Sequence, residues 1–398
     1  MLSGYYGFRN SGDEAVLKSI LAALEDAAAR AGVRIEPVVL SGDPAWTMRQ
    51  YGVEAVDRMK LGEVRKAIKR SDGLISGGGS LLQDATGMGS IPYYLGILAL
   101  ARWSGKPTFI YAQGIGPVNR PVFRPFIARA FRKAAYVSVR DEESAALLRR
   151  FGLPADDVDI DVVPDPVMGL PAGGASPGEP ERGAAAGAER EGRAGEGEPL
   201  GGAAPDAGAA GADEPAVVGV SVRFWRSDRA DMDRAAAALE ALAGRADAPV
   251  RLRFLPFHRG ADEDASRYVM ERLARAGAYA ENRLELAPAH EDPQRMLREV
   301  GRCDLLIGMR LHSLIYAANQ EVPLLGISYD PKIDQFLGRL GERAVGTTEA
   351  LDPDELAARA AEILRDPGSW RASKRAAIAR LKEEAARPSQ LIVDFIRN

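Results

Sequence analysis

The sequence holds one cysteine, Cys303, and three histidines among 398 residues. A lone cysteine excludes an intramolecular disulfide and a cysteine zinc cluster, and it suits a reducing compartment. His258, His290 and His312 form no ligand spacing of the H-E-x-x-H kind, so no catalytic metal is expected. A surplus of positive charge is also missing. The net charge is -4, whereas a nucleic-acid partner usually calls for a strongly basic chain. Long apolar runs are absent too. The longest, Ile91 to Trp103, is broken by Gly96 and Arg102 and falls short of the ~20 residues that span a bilayer. Gly7, Asn10 and Gly12 stand where the apolar core of a signal peptide would begin. The expectation is a cytoplasmic chain, neither secreted nor membrane-spanning.

Hydrophobic residues make up 46% of the sequence, enough for a real core, and the length favours two domains. Between Pro171 and Pro215 the composition collapses to Gly, Ala, Pro, Glu and Arg, with Leu200 the only large apolar residue. Such a stretch cannot bury enough surface to offset the entropy of ordering, and it reads as a disordered linker. The expected division is therefore 1–170, a linker over 171–215, and 216–398.

Both flanking blocks alternate strand and helix patterns. In the first, Asp13 to Ala31 is predicted as a helix, with strands at Arg34 to Leu40, Gly73 to Ser76, Thr108 to Ala112, Tyr136 to Val139 and Asp159 to Val163. In the second, strands are predicted at Ala216 to Val222, Arg251 to Pro256, Leu305 to Gly308 and Pro323 to Ser328, again separated by helices. The fold class implied is α/β, with two Rossmann-like domains facing across a cleft. Ligands of such sheets sit beyond the carboxyl ends of the strands, so the cleft is the expected site. The opening strand looks cut short, with only Met1 to Ser3 ahead of the first turn.

The motifs cluster at those strand ends. Gly4-Tyr5-Tyr6-Gly7-Phe8-Arg9-Asn10-Ser11-Gly12-Asp13-Glu14 is a Gly-rich strand-to-helix turn. There Asn10 could bond sugar hydroxyls and Asp13 could serve as a base; alternatively Asn10 makes a turn and the acids complement the helix dipole. Ser76-Gly77-Gly78-Gly79-Ser80 bares its backbone after a strand and is neither a dinucleotide fingerprint nor a P-loop. Gln113-Gly114-Ile115-Gly116-Pro117 is a third such turn. Arg140, at a strand end, can grip a phosphate or carboxylate, or else pair with Asp141 or Glu143. The sharpest signal is Gly308-Met309-Arg310-Leu311-His312. It sets a fixed cation and a group titrating near neutrality where a strand meets a helix. Tyr329-Asp330-Pro331-Lys332 brings a further cation. His258 also follows a strand and could touch a ligand, whereas His290 looks peripheral. From Arg120 to Lys133 five basic residues interleave with Val122, Phe123, Phe126, Ile127 and Phe131. That pattern suits either an anionic membrane surface or ordinary packing on a sheet.

In their order and spacing these motifs resemble those of the polysaccharide pyruvyl transferases, and most closely the bacterial branch that pyruvylates secondary cell-wall polymer, the anchor for S-layer proteins. The resemblance covers nearly the whole chain outside the linker. It implies a fold like the GT-B glycosyltransferases and phosphoenolpyruvate as donor, with no cofactor. The acceptor implied is a lipid-linked glycan carrying N-acetylmannosamine, which would receive a 4,6-ketal. It also implies that Arg140, His312 and Lys332 bind donor or act in catalysis, with Arg310 a further donor ligand. Asn10, Asp13, Gly78, Gly79 and Ser80 are the candidate acceptor residues. A nucleotide-sugar glycosyltransferase on the same scaffold and a non-catalytic glycan-binding protein are the alternatives.

Overall fold

A computed structural model describes residues 1–85, 87–173 and 214–397. The expected linker therefore lies almost wholly outside the described residues. In the first unit the order is β1 (Leu2–Tyr6), α1 (Ser11–Ala31), β2 (Val38–Ser41), α2 (Pro44–Tyr51), β3 (Glu54–Asp57), α3 (Leu61–Arg70), β4 (Leu74–Gly77), α4 (Ser90–Trp103), β5 (Thr108–Gln113), α5 (Arg124–Arg132), β6 (Tyr136–Val139), α6 (Glu142–Arg150) and β7 (Asp161–Val162). The second runs β8 (Ala216–Ser221), α7 (Ala230–Arg245), β9 (Val250–Phe254), α8 (Ala261–Ala276), β10 (Leu284–Leu286), α9 (Pro293–Gly301), β11 (Leu305–Gly308), α10 (Leu311–Asn319), β12 (Leu324–Ser328), α11 (Pro331–Arg339), β13 (Gly346–Thr347), α12 (Pro353–Arg365) and α13 (Pro367–Arg397).

Every strand pairing is parallel. Helices cover both faces, which is why β5, Thr-Phe-Ile-Tyr-Ala-Gln, is buried at all six positions. The sheet orders are β3-β2-β1-β4-β5-β6-β7 and β10-β9-β8-β11-β12-β13. Each order reverses once, between β1 and β4 and between β8 and β11, and a crevice opens beyond the strand ends at such a point. The opening strand is not cut short at Ser3. It continues to Tyr6, whose hydroxyl donates to the Gly77 carbonyl at 2.7 Å and ties β1 to β4.

Two connections fix one unit against the other. Asn319, at the end of α10, is 4% exposed, and its amide donates to the carbonyls of Val167 (3.1 Å), Met168 (2.9 Å) and Leu170 (3.0 Å). Removing it strands buried acceptors, so Asn319→Ala should cost about 2–4 kcal/mol, read as a lower urea midpoint at unaltered slope. The second connection is α13, which begins in the second unit and returns to the first. There Arg387 pairs with Asp161 at 2.8 Å and Phe395 packs edge-on against Phe109. Residues 216–398 are thus not all confined to the second unit, because the apolar face of α13 is buried against α1 and β5.

Candidate active site

The first wall of the cleft is the β1–α1 turn. Asn10 caps α1, its side-chain oxygen accepting from Gly12 N (3.1 Å) and Asp13 N (3.5 Å). Glu14 is buried and clamps the turn, accepting from Gly7 N (2.9 Å), Arg9 N (3.2 Å) and the Tyr51 hydroxyl (2.8 Å). Those bonds make Glu14 structural. Asp13 differs: its carboxylate accepts no hydrogen bond from a described side chain or amide and lies against Gly79, where a Cβ would come within 2.8 Å of Oδ1. Burial first, then Glu14 and Asp165, pushes its pKa up to about 7 against the pull of Arg140. Gly78 serves packing, since a Cβ there would fall 1.8 Å from Val16 Cγ1 on α1.

Cations converge from both units. Arg140 leaves the end of β6 and donates to Ser80 Oγ at 3.2 Å, while Lys332, near the start of α11, reaches the same oxygen from the other side at 3.3 Å. Arg140 also faces Asp165 at 3.4 Å and Asp141 at 3.7 Å, so the salt-bridge reading of this arginine is met at Asp141. Burial, then Arg140, lowers the Lys332 pKa, with Asp330 and Asp141 opposing. A small cavity beside these groups is lined by Arg140, Asp165, Leu311 and Lys332.

His312 completes the cluster. It sits in the first turn of α10 and closes over the start of α1, where a Cβ on Gly12 would meet Cε1 at 2.6 Å. Its Nε2 is buried with no hydrogen-bond partner and lies 3.9 Å from Asp165 Oδ2. Burial lowers the imidazole pKa; Asp165 counters it, and Arg140, Arg310 and His258 add to the lowering.

A family model described as polysaccharide pyruvyl transferase matches residues 10–331. The chain belongs to that family. No curated protein matches it. Among solved structures, the UDP-GlcNAc 2-epimerase of Neisseria meningitidis bound to UDP-GlcNAc aligns over 100% of both chains at 10% identity and TM-score 0.58. Anabaena HepE, in complex with UDP and glucose, aligns over 100% of this chain and 98% of its own at 14% identity and TM-score 0.56. A glycosyltransferase of Rickettsia africae aligns over 100% and 98% at 12% identity and TM-score 0.57. At these identities the likeness is one of fold, and it places this pyruvyl transferase among the GT-B-like proteins.

Not every candidate residue of the pyruvyl transferase reaches the centre. Asp13, Ser80, Arg140, His312 and Lys332 meet there, with Gly79 making room. Arg310 is held away by a two-pronged pair with buried Asp262, whose Oδ2 also accepts from His258 N at 2.9 Å. His258 lies beside Arg310 and Arg223, and burial, then Arg310, lowers its pKa. His290 faces Glu299 instead. Two residues were not singled out from the sequence. Asp165 sits buried between Arg140 and His312, its only signal being its place between Pro164 and Pro166 after the last strand of the first unit. Arg223 follows β8 and donates to the Tyr329 hydroxyl at 3.0 Å, beneath the exposed Trp225. Among the described residues no cluster of three or more His, Cys, Asp or Glu is placed to hold a metal ion, and no helix is long and apolar enough to cross a membrane.

Proposed function

We propose that this pyruvyl transferase moves the pyruvyl group of phosphoenolpyruvate onto a sugar diol, forming a 4,6-ketal and releasing phosphate. The observation carrying this reading is the meeting of Arg140 and Lys332, from opposite units, on one oxygen of Ser80, with the unpartnered Nε2 of His312 alongside. Two cations and a proton donor suit a small polyanion whose chemistry begins with protonation.

In this mechanism Arg140 and Lys332 hold the phosphate and carboxylate, and Arg310 joins them by exchanging Asp262 for the donor. Protonation of C3 by His312 makes C2 electrophilic. One sugar hydroxyl adds to C2 and gives up its proton, the C2–O bond to phosphate breaks, and the second hydroxyl closes the ketal. Asp13 takes a hydroxyl proton; the remaining proton leaves with phosphate. Asn10 and the Gly78-Gly79-Ser80 backbone line the acceptor side. The acceptor is proposed to be the N-acetylmannosamine residue of a lipid-linked cell-wall polymer precursor, in the branch that serves S-layer anchoring.

Such an acceptor would be met in the cytoplasm at the inner membrane face. In support, the stretch around α5 exposes Val122 and Phe126 beside Arg120, Arg124, Arg129, Arg132 and Lys133. The deciding experiment is phosphate release from phosphoenolpyruvate with and without a synthetic lipid-linked N-acetylmannosamine disaccharide. Acceptor-dependent release, with a pyruvyl mass gain on the sugar, is expected. Release that ignores the acceptor, or turnover of a uridine diphosphate sugar instead, would overturn the reading.

A further inference from the structure

Behind the β1–α1 turn lies a buried charge that the mechanism does not use. Arg58, between β3 and α3, is 8% exposed. Its guanidinium donates to the Gly4 carbonyl at 3.1 Å and the Tyr94 hydroxyl at 3.3 Å, both neutral. Four rings surround it, Tyr5, Phe8, Tyr93 and Tyr94, with centroids 4.3 to 5.9 Å from Cζ. Among the described residues no carboxylate forms an ion pair with it. Withdrawing a guanidinium from water costs several kcal/mol, and cation–π contacts return about 0.5–2 kcal/mol each. Four such contacts offset much of that cost, yet the guanidinium has no counter-charge among the described residues.

The surroundings say which anion. Tyr5 and Phe8 stack 4.2 Å apart and remain 42% and 45% exposed, forming a shelf on the ligand turn. Beyond Arg58, Met59 and Leu61 are 73% and 65% exposed, an apolar margin on the solvent side. On the inner side Tyr94 links the cage to the reaction centre: burial, with help from Asp13, raises its pKa to about 12 against the pull of Arg58. The turn that carries Asp13 thus also carries the Tyr5–Phe8 shelf, with Arg58 against both rings and the exposed Met59 and Leu61 next along the chain. We infer that Arg58 and its cage form the acceptor's phosphate-ester subsite, with Tyr5 and Phe8 under the sugar and Met59 and Leu61 against an apolar chain. This rests on the pyruvyl-transfer reading and deepens it by explaining how a sugar carried on a lipid through a phosphate ester is chosen over a free one.

The test is calorimetric titration of the full chain, saturated with phosphoenolpyruvate to fill the donor cations, with farnesyl diphosphate and with inorganic pyrophosphate. Farnesyl diphosphate should bind about 10-fold tighter than pyrophosphate. Arg58→Met should weaken both by about 30-fold or more. The exposed pair Met59→Ser and Leu61→Ser, which leaves the core alone and adds no charge, should weaken only farnesyl diphosphate. It also decides the matter if Arg58→Met fails to fold. In turnover, the ratio of KM for a methyl glycoside of the same disaccharide to KM for its lipid-diphosphate form should collapse in Arg58→Met, a change that mere loosening would not cause. No binding of farnesyl diphosphate, or equal binding by folded Arg58→Met, overturns the subsite. Absence of acceptor-dependent phosphate release in the parent chain overturns the transfer reading instead.

Discussion

Replacing His312 by glutamine is expected to lower kcat by about 10²–10⁴, the usual worth of a positioned proton donor, with a smaller change in KM for phosphoenolpyruvate. The argument rests on the position of Nε2, buried, unpartnered and 3.9 Å from Asp165. Burial lowers the imidazole pKa below its ordinary value, which favours the uncharged form. A donor carrying several negative charges shifts that balance towards the imidazolium, the form the acid step needs. Donor binding should therefore take up protons, measurable as a dependence of binding enthalpy on the ionisation enthalpy of the buffer. The sign follows from linkage: where binding takes up a proton, affinity falls as pH rises. KM for the donor should thus climb on the alkaline side, and the uptake should shrink in His312→Gln. A variant that kept full turnover and full proton uptake would remove His312 from the mechanism.

Much of this was legible in the sequence, and the reason is local. Gly-rich turns at strand ends stand out in any parallel sheet, so the β1–α1, β4 and β5 turns could be placed at the cleft without knowing what faced them. Gly308-Met309-Arg310-Leu311-His312 stood out because a buried strand ran directly into two chemically active side chains. What could not be read was pairing across distance. Arg310 and Asp262 are 48 residues apart, and nothing at either position announces the pair. Asp165 lies between its prolines 25 residues beyond Arg140, and only the folded approach of α10 sets it against His312. Arg58 was not singled out from the sequence, because the rings that enclose it come from β1, its turn and α4. The return of α13 to the first unit was hidden for the same reason. The charge-rich stretch after Trp370 reads as helical, but nothing in it names the sheet it covers.

Arg140 and Asp165 offer a matched pair of substitutions with opposite signatures. In the proposed mechanism Arg140→Met removes a cation from the donor's phosphate or carboxylate, and a desolvated charged contact of this kind is worth about 2–5 kcal/mol, or about 30- to 5,000-fold in kcat/KM. The same guanidinium lowers the pKa values of Asp13 and His312, so its loss lets both rise. The acid and base limbs of the pH–rate profile should move together to higher pH. Asp165→Asn does the reverse. Its carboxylate raises both groups, so neutralising it lowers both and carries the profile towards acid. The amide can still cap the turn at Val167 N, 3.1 Å from Oδ1, which leaves charge as the main change. A cleft in which these residues only braced the structure would lose stability in both variants and shift neither limb. Opposite displacements from one pair of charges, measured on kcat/KM for phosphoenolpyruvate, require that Asp13 and His312 titrate within reach of both and that their protons move in the reaction.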